Sequence, residues 1–331
     1  MREQKNSHLG MIGWAMFLTG ALSLGSCSGD DTIDTIQGEV ISFGNVFVEN
    51  STRAIDPSYG KDKDIESFQV WGKVTGNTGN IVNLYGGDGA TVTKGSAAYG
   101  AAWACTEKEY WIPSATYQFM AIANANNGVT LTDGLPSAIS YTADGETDLL
   151  LGELTTKGVK EVKTDVTASP TTGVTDAKVV DFTMSHLLSK VVFTFTNTDT
   201  ETALKVKEIK LNGTNTSGTY TLSTGQWNDT NTDYELGFGA EVTILAGEDG
   251  TSEHERLVIP GTYTLVISFK VNDEEGIGEE QEIDATIENQ TFTAGHSYNI
   301  TANIKSGMKE IIFNVTSAAW GGTNDEGVTV N

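Results

Sequence analysis

Cysteine is nearly missing from this 331-residue sequence, with Cys27 and Cys105 the only two. Cys27 closes an export signal, as argued below, and the one thiol then left cannot form an intramolecular disulfide. The fold must stand on its hydrophobic core, and about 300 residues suffice for that, or for two domains. Histidine is as sparse. Beyond the leader there are His186, His254 and His296, far apart and without close partners at metal-ligand spacing. Glu253 and Glu255 flank His254, but strand alternation would send them to the opposite face. No metal site and no cofactor are expected. The G-x-S-x-G elbow, the phosphate-binding P-loop and the dinucleotide fingerprint are all missing. Carboxylates are plentiful, yet nothing marks out two of them for glycoside hydrolysis, so no catalytic residue is assigned. The acidic stretches Asp229 to Asp233 and Asn272 to Gly276 lack an EF-hand register and read as solvated turns. No segment approaches the roughly 20 consecutive apolar residues of a spanning helix, and no long amphipathic helix is evident. Basic charge is also short. The formal net charge is −24, and becomes −25 once residues 1–26, which carry Arg2, Lys5 and Glu3, are removed. Such a surface repels nucleic acid and anionic headgroups, which excludes both as partners, and keeps an exported chain soluble.

What is present at the start is an export signal. Arg2 and Lys5 form a small basic region, and Met11 to Leu24 a mostly apolar run too short to cross a bilayer. It ends in Leu24-Gly25-Ser26-Cys27, which resembles the lipobox of bacterial lipoproteins, where the cysteine thiol carries diacylglycerol. Residues 1–26 are thus a signal peptide, Cys27 the lipidation site, and 27–39 a lipidated tether. An ordinary secretory peptide with a chance cysteine is the alternative. The Ser28-Gly29-Asp30-Asp31 that follows resembles the surface-export signal of Bacteroides-type lipoproteins. Acyl chains contribute about 0.8 kcal/mol per buried CH₂, enough for a multiply acylated Cys27 to hold the chain to the outer membrane.

Period-two alternation dominates the remainder. Tyr263, Leu265, Ile267, Phe269 and Val271 are separated by Thr264, Val266, Ser268 and Lys270, the pattern of a strand with one face in a core. Similar signals run over Ile41 to Val48, Phe68 to Val74, Tyr117 to Ala123, Val191 to Phe195, Tyr298 to Ile304 and Ile311 to Val315, with Gly, Asn, Asp and Thr clusters between. Strands apolar on one face must pack sheet on sheet, so an all-β protein made of sandwiches is expected. From Thr155 to Lys178 the chain holds little large apolar content, which sets a boundary near 180 between an N-terminal domain, 40–180, and a C-terminal one, 181–331. Cys105 alternates with Trp103 and reads as a buried small hydrophobe rather than a nucleophile. Trp71, Trp103, Trp111, Trp227 and Trp320 mostly alternate with apolar neighbours and look like core.

Several segments together resemble the fimbrillin family of Bacteroides-type bacteria. They are Phe68 to Gly72, Tyr110 to Pro113 with Tyr117 to Ala121, Asp148 to Gly152, Phe182 to Lys190, and Trp320-Gly321-Gly322. The resemblance runs from about residue 40 to the end and rests on the order and spacing of these core-type pieces. It implies two transthyretin-like β-sandwich domains in tandem and a structural role in surface fimbriae, with other fimbrial subunits as partners through β-strand addition and a host or bacterial surface receptor for adhesion. In the family, an arginine-specific protease cuts the lipidated precursor after its first strand, and a strand of the next subunit fills the groove.

This sequence has parts for that cycle. The first strand candidate, Val40 to Val48, lies between Cys27 and Arg53-Ala54, so a cut after Arg53 would release lipid and strand together. The mature chain has only Arg53 and Arg256 as arginines, and Arg256 adjoins the expected strand Leu257 to Ile259, which resists cleavage. Arg53 as a plain solvated loop residue is the alternative. Val328 and Val330 have the alternate spacing of a donor strand, though a last strand folded within its own domain would look the same. A glycan-binding surface lipoprotein is the competing function, and exposed, coplanar tryptophans would favour it.

Overall fold

Alternation of apolar and polar side chains shapes the chain, which is all-β with no helix among the described residues. The computed structural model describes residues 40–48, 65–75, 79–94, 103–111, 116–152, 160–163, 180–231, 234–273, 280–305, 311–320 and 326–329. The first strands are β1 (Phe43–Val48), β2 (Ser67–Thr75), β3 (Ile81–Leu84), β4 (Ala90–Thr93), β5 (Ala104–Cys105), β6 (Thr116–Ala123), β7 (Val129–Thr132), β8 (Leu135–Thr142), β9 (Leu150–Gly152), β10 (Lys160–Lys163) and β11 (Val180–His186). There follow β12 (Ser189–Asn197), β13 (Leu204–Thr214), β14 (Ser217–Thr221), β15 (Gln226–Asn231), β16 (Tyr234–Gly237), β17 (Glu241–Ile244) and β18 (Asp249–Thr251). The last are β19 (Arg256–Val258), β20 (Gly261–Asp273), β21 (Gln281–Phe292), β22 (His296–Ile304), β23 (Ile311–Ala319) and β24 (Glu326–Thr329). Each of the seven strands expected from alternation is among them.

The sheet that frames the N-terminal region runs β1-β11-β9-β6-β2-β4-β5, with β10 also on β6 and β3 also on β2. Its central strands are apolar on both faces. Phe68, Val70 and Val74 of β2, with Tyr117, Phe119, Ala121 and Ala123 of β6, face one core, whereas Trp71, Met120 and Ile122 face another. Successive side chains point to opposite sides of a sheet, so a strand buried on both sides reads as a nearly unbroken apolar run. Gly72 leaves room for its neighbours within the sheet, since a Cβ there would lie 3.0 Å from the side chains of Leu84 and Phe119, its partners on β3 and β6.

A third core is drawn wholly from residues between Val191 and Val315. A six-stranded sheet (β18-β12-β22-β23-β24, with β19 on β12) faces a five-stranded one (β16-β13-β20-β21, with β17 on β13). Tyr263, Leu265, Ile267, Phe269 and Val271 of β20 are all buried, while Val266 on the other face is 38% exposed. Phe269 meets Phe195 of the facing sheet edge-on at 5.3 Å between ring centres, the offset geometry that aromatic quadrupoles favour.

A four-stranded sheet, β15-β14-β8-β7, joins two hairpins distant in sequence. Its middle pairing sets Ser217 to Thr221 against Thr142 to Ala138. This sheet covers the outer face of β2 and β6, where Ile139, Tyr141 and half-buried Trp227 pack with Trp71, Leu257, Ile259 and Trp320. The Trp227 indole donates to Leu187 O at 3.1 Å.

Replacing Phe269 with alanine is expected to lower stability by about 3–5 kcal/mol, because a close-packed core cannot collapse into the space left. Urea unfolding will show a lower midpoint. Val266→Ala, on the exposed face of the same strand, should shift stability by no more than about 0.5 kcal/mol.

Candidate functional site

The sequence begins its described part with a strand held from two sides. Strand β1 ends the nine-stranded sheet and runs parallel to β11, with Phe43 opposite Val180 and Val48 opposite Met184. On its other side, bridges pair Val40 with Tyr110 and Phe43 with Trp103. The amide of Ile41 donates to Glu109 O at 2.8 Å, and Ser42 O accepts from the Val180 amide at 2.9 Å. Residues 103–110 continue from β5, at the far end of the sheet, so the sheet curls round and the 40–48 segment closes the seam.

Side chains reinforce the closure. Ile41 and Phe43 are buried, with exposed Ser42 between them. The Phe43 ring stacks on Phe182 at 6.1 Å and meets Phe119 and Phe68 edge-on at 6.0 and 6.3 Å, with Tyr85 tilted at 6.2 Å. Full burial of one such side chain contributes about 1.5–3 kcal/mol. The seam is thus held by a ladder to β11 on one side, by bridges at Val40 and Phe43 on the other and by an aromatic socket, the form of contact an extended peptide makes when it adds to sheet edges.

Sequence reasoning missed the wall of this socket. Tyr85 sits just after β3 with φ at +65°, a conformation bulky residues rarely adopt. Burial, with the Cys105 thiol, Glu109 and Glu107 nearby, pushes its phenol far above the usual range. The Tyr85 hydroxyl and the Trp111 indole nitrogen are buried without hydrogen-bond partners among the described residues. No alternation marks Tyr85, because it lies in a turn.

Cys105 is half-buried beside Trp103 against the same core, and burial raises its thiol pKa, which leaves it a weak nucleophile. Cys27, Arg53, Ala54 and Val330 lie outside the described residues. The backbone of Val328 stands opposite Val315 in β24, an edge strand antiparallel to β23. Arg256 is the first residue of β19, and its guanidinium bonds to Gly237 O at 2.6 Å and Glu146 at 3.1 Å. Around His254 the expected strand is replaced by a bend, so Glu253 is not sent to the opposite face: its carboxylate lies 3.8 Å from the imidazole. A loop between β18 and β19 has no reason to keep a period of two.

His186 has structural partners. Its Nδ1 lies 2.5 Å from Asp148 Oδ2, and its ring stacks on Trp320 at 3.9 Å and 4°. The Lys190 ammonium lies 5.5 Å from the centre of the same indole and is paired with Glu255. This node ties β11 and β12 to the residue that follows β23. Trp71, Trp111 and Trp320 are buried, and Trp103 and Trp227 pack against the cores, so these tryptophans form no sugar-stacking platform.

Residues 52–320 match the sequence profile of the fimbrillin-like family. The chain belongs to that family. No curated protein matches it in sequence. Among solved structures, a candidate cell adhesion protein from Bacteroides uniformis ATCC 8492 shares 18% identity with this fimbrillin-like chain, over 86% of it and 99% of the other, with a TM-score of 0.52. A fimbrial protein from Bacteroides vulgatus ATCC 8482 shares 13%, over 85% and 99%, also with a TM-score of 0.52. At these identities the likeness establishes the fold. A fimbrillin-like protein is structural rather than enzymatic, and its place is the cell surface.

Substituting His186 with alanine strips Asp148 of its partner and Trp320 of its stack, and is expected to cost about 1–3 kcal/mol. His254→Ala, at a side chain 46% exposed, should be nearly silent, and the two are compared by thermal unfolding.

Proposed function

We propose that this chain is a fimbrial subunit exported as a lipoprotein, anchored in the outer membrane through Cys27, and assembled by replacement of its first strand. In this reading an arginine-specific protease cuts between Arg53 and Ala54, which removes lipid and β1 together. The vacated seam between β11 and the 103–110 segment then receives a strand from another subunit, and the fimbria so built serves adhesion to a host or bacterial surface. The mature chain acts as a tandem of transthyretin-like sandwiches, 40–180 and 181–331. One core drawn from residues 41–184 and another drawn from 191–315 support two sandwiches, with the changeover just past β11 rather than at 180, while the four-stranded sheet and the core around Trp71 and Trp320 draw on both.

A single observation carries the proposal. Residues 40–48, which lie between the lipidation signal and Arg53, are hydrogen-bonded on both sides, with Phe43 in an aromatic socket. A plain tether would have neither. The carboxylate and carbonyl contacts of Arg256, within a paired strand, favour Arg53 as the accessible arginine. The edge position of β24 supports Val328 and Val330 as part of a strand this subunit gives to a neighbour.

Two substitutions in the producing cell test the cycle. With Arg53→Ala the protein should stay at full precursor length, lipid-labelled and cell-bound, and be missing from sheared fimbriae. With Cys27→Ala it should take up no fatty-acid label. Incorporation of the Arg53→Ala protein into fimbriae at the normal level would overturn the processing step, and lipid labelling that survives Cys27→Ala would overturn the anchor.

A further inference from the structure

We infer that the seam selects its replacement strand by an aromatic side chain at the Phe43 position, a requirement that residues 321–331 of a second copy do not meet. This rests on the strand-replacement reading above.

The socket is built of rings, and its walls are fixed. Phe68, Tyr85, Phe119 and Phe182 are each no more than 2% exposed, and each stands 6.0–6.3 Å, centre to centre, from the Phe43 ring. Phe68 and Phe182 also pack on each other at 5.7 Å. Phe119 is stacked on Tyr117, which in turn meets Trp111 at 4.8 Å. Side chains locked in this way do not slump inward when the central ring is replaced by something smaller. The lining then loses its contacts on one side, and the cost grows with the empty volume. An incoming strand without a ring at this position leaves such a void.

The segment that carries Val328 and Val330 has no ring to offer. From Gly321 to Asn331 the sequence holds no aromatic residue, and its large apolar side chains are Val328 and Val330. The last aromatic residues before it are committed to their own domain. Phe313 packs against Phe269 at 6.3 Å, and Trp320 is buried, stacked on His186 and bonded through its amide to Gly295 O. Residues 321–331 of a second copy therefore present valine where the socket is shaped for phenylalanine. The partner that fits is an extended segment with alternate apolar side chains and one Phe, Tyr or Trp aligned with Phe43.

The test uses the mature chain cut by an arginine-specific protease, with labelled peptides present in excess during cleavage so that the seam is never left open. Three peptides are compared: residues 38–49, the same peptide carrying Phe43→Val, and residues 321–331. Retention is weighed by native mass spectrometry and affinity by fluorescence polarisation. The 38–49 peptide should be retained, and the Phe43→Val peptide and the 321–331 peptide should each bind at least tenfold more weakly, about 1.4 kcal/mol. Binding of either weaker candidate within threefold of the 38–49 peptide would overturn ring selection while leaving strand replacement intact. If even the 38–49 peptide fails to bind the trimmed chain, strand replacement itself fails, and ring selection with it.

Discussion

A sheet that curls around a core must be closed where its ends meet, or a row of backbone groups and the rings behind it face water. Here the meeting place lies between β11 and the 103–110 segment, and what closes it is a short stretch at the start of the described chain. The amide of Ile41 and the carbonyl of Ser42 bond to opposite neighbours, and Phe43 fills the space among Phe68, Tyr85, Phe119 and Phe182. Each part depends on the others. Without the backbone pairing the ring is not held at depth, and without the ring the pairing bridges an empty core.

The contrast with the longest exposed edge shows how selective this arrangement is. Strand β21 is the free edge of the five-stranded sheet, 12 residues long. It presents exposed Glu282, Asp284 and Glu288, and Asn289 takes a positive φ of 57° beside a register irregularity against β20. Charge and a bulge are the means by which sheets deter pairing with other chains. The seam closed by β1 also has an irregularity of register, between Phe43 and Val46, but no charged residue in β1 itself. It is shielded by a strand instead, and a strand can be exchanged where a charged edge cannot.

The parts of the fold legible in the sequence are those where one strand meets one core. Strand β20 alternates, and Tyr263, Leu265, Ile267, Phe269 and Val271 on one face are buried while Val266 on the other is not. The two-faced strands were visible as strands, but the sequence does not say that Trp71 and Val70 serve different cores, because an unbroken apolar run carries no phase. The four-stranded sheet was not legible at all. Its central pairing brings Ser140 to Thr219, and register between segments so distant is set by the cores beneath them rather than by local pattern. For the site, the first strand and Phe43 follow from alternation, whereas Tyr85 in its turn and the partner segment at Tyr110 do not. Only their convergence in space makes them a socket.

In the proposed cycle, covalent linkage makes a cut the natural control. While β1 remains tethered to the domain it closes, its local concentration at the seam is on the order of millimolar, as for two sites joined by a short flexible chain. A donor strand from another subunit arrives as a second molecule and must also bear the loss of translational freedom. Equal contacts would therefore leave the seam to the tethered strand almost always. Cleavage beyond β1 removes that advantage in one step and puts both strands on the same footing, after which the contacts decide. If the same cut also frees the chain from its lipid, release from the membrane and readiness to join a fibre become a single event, and a subunit still anchored at Cys27 is one whose seam is still filled.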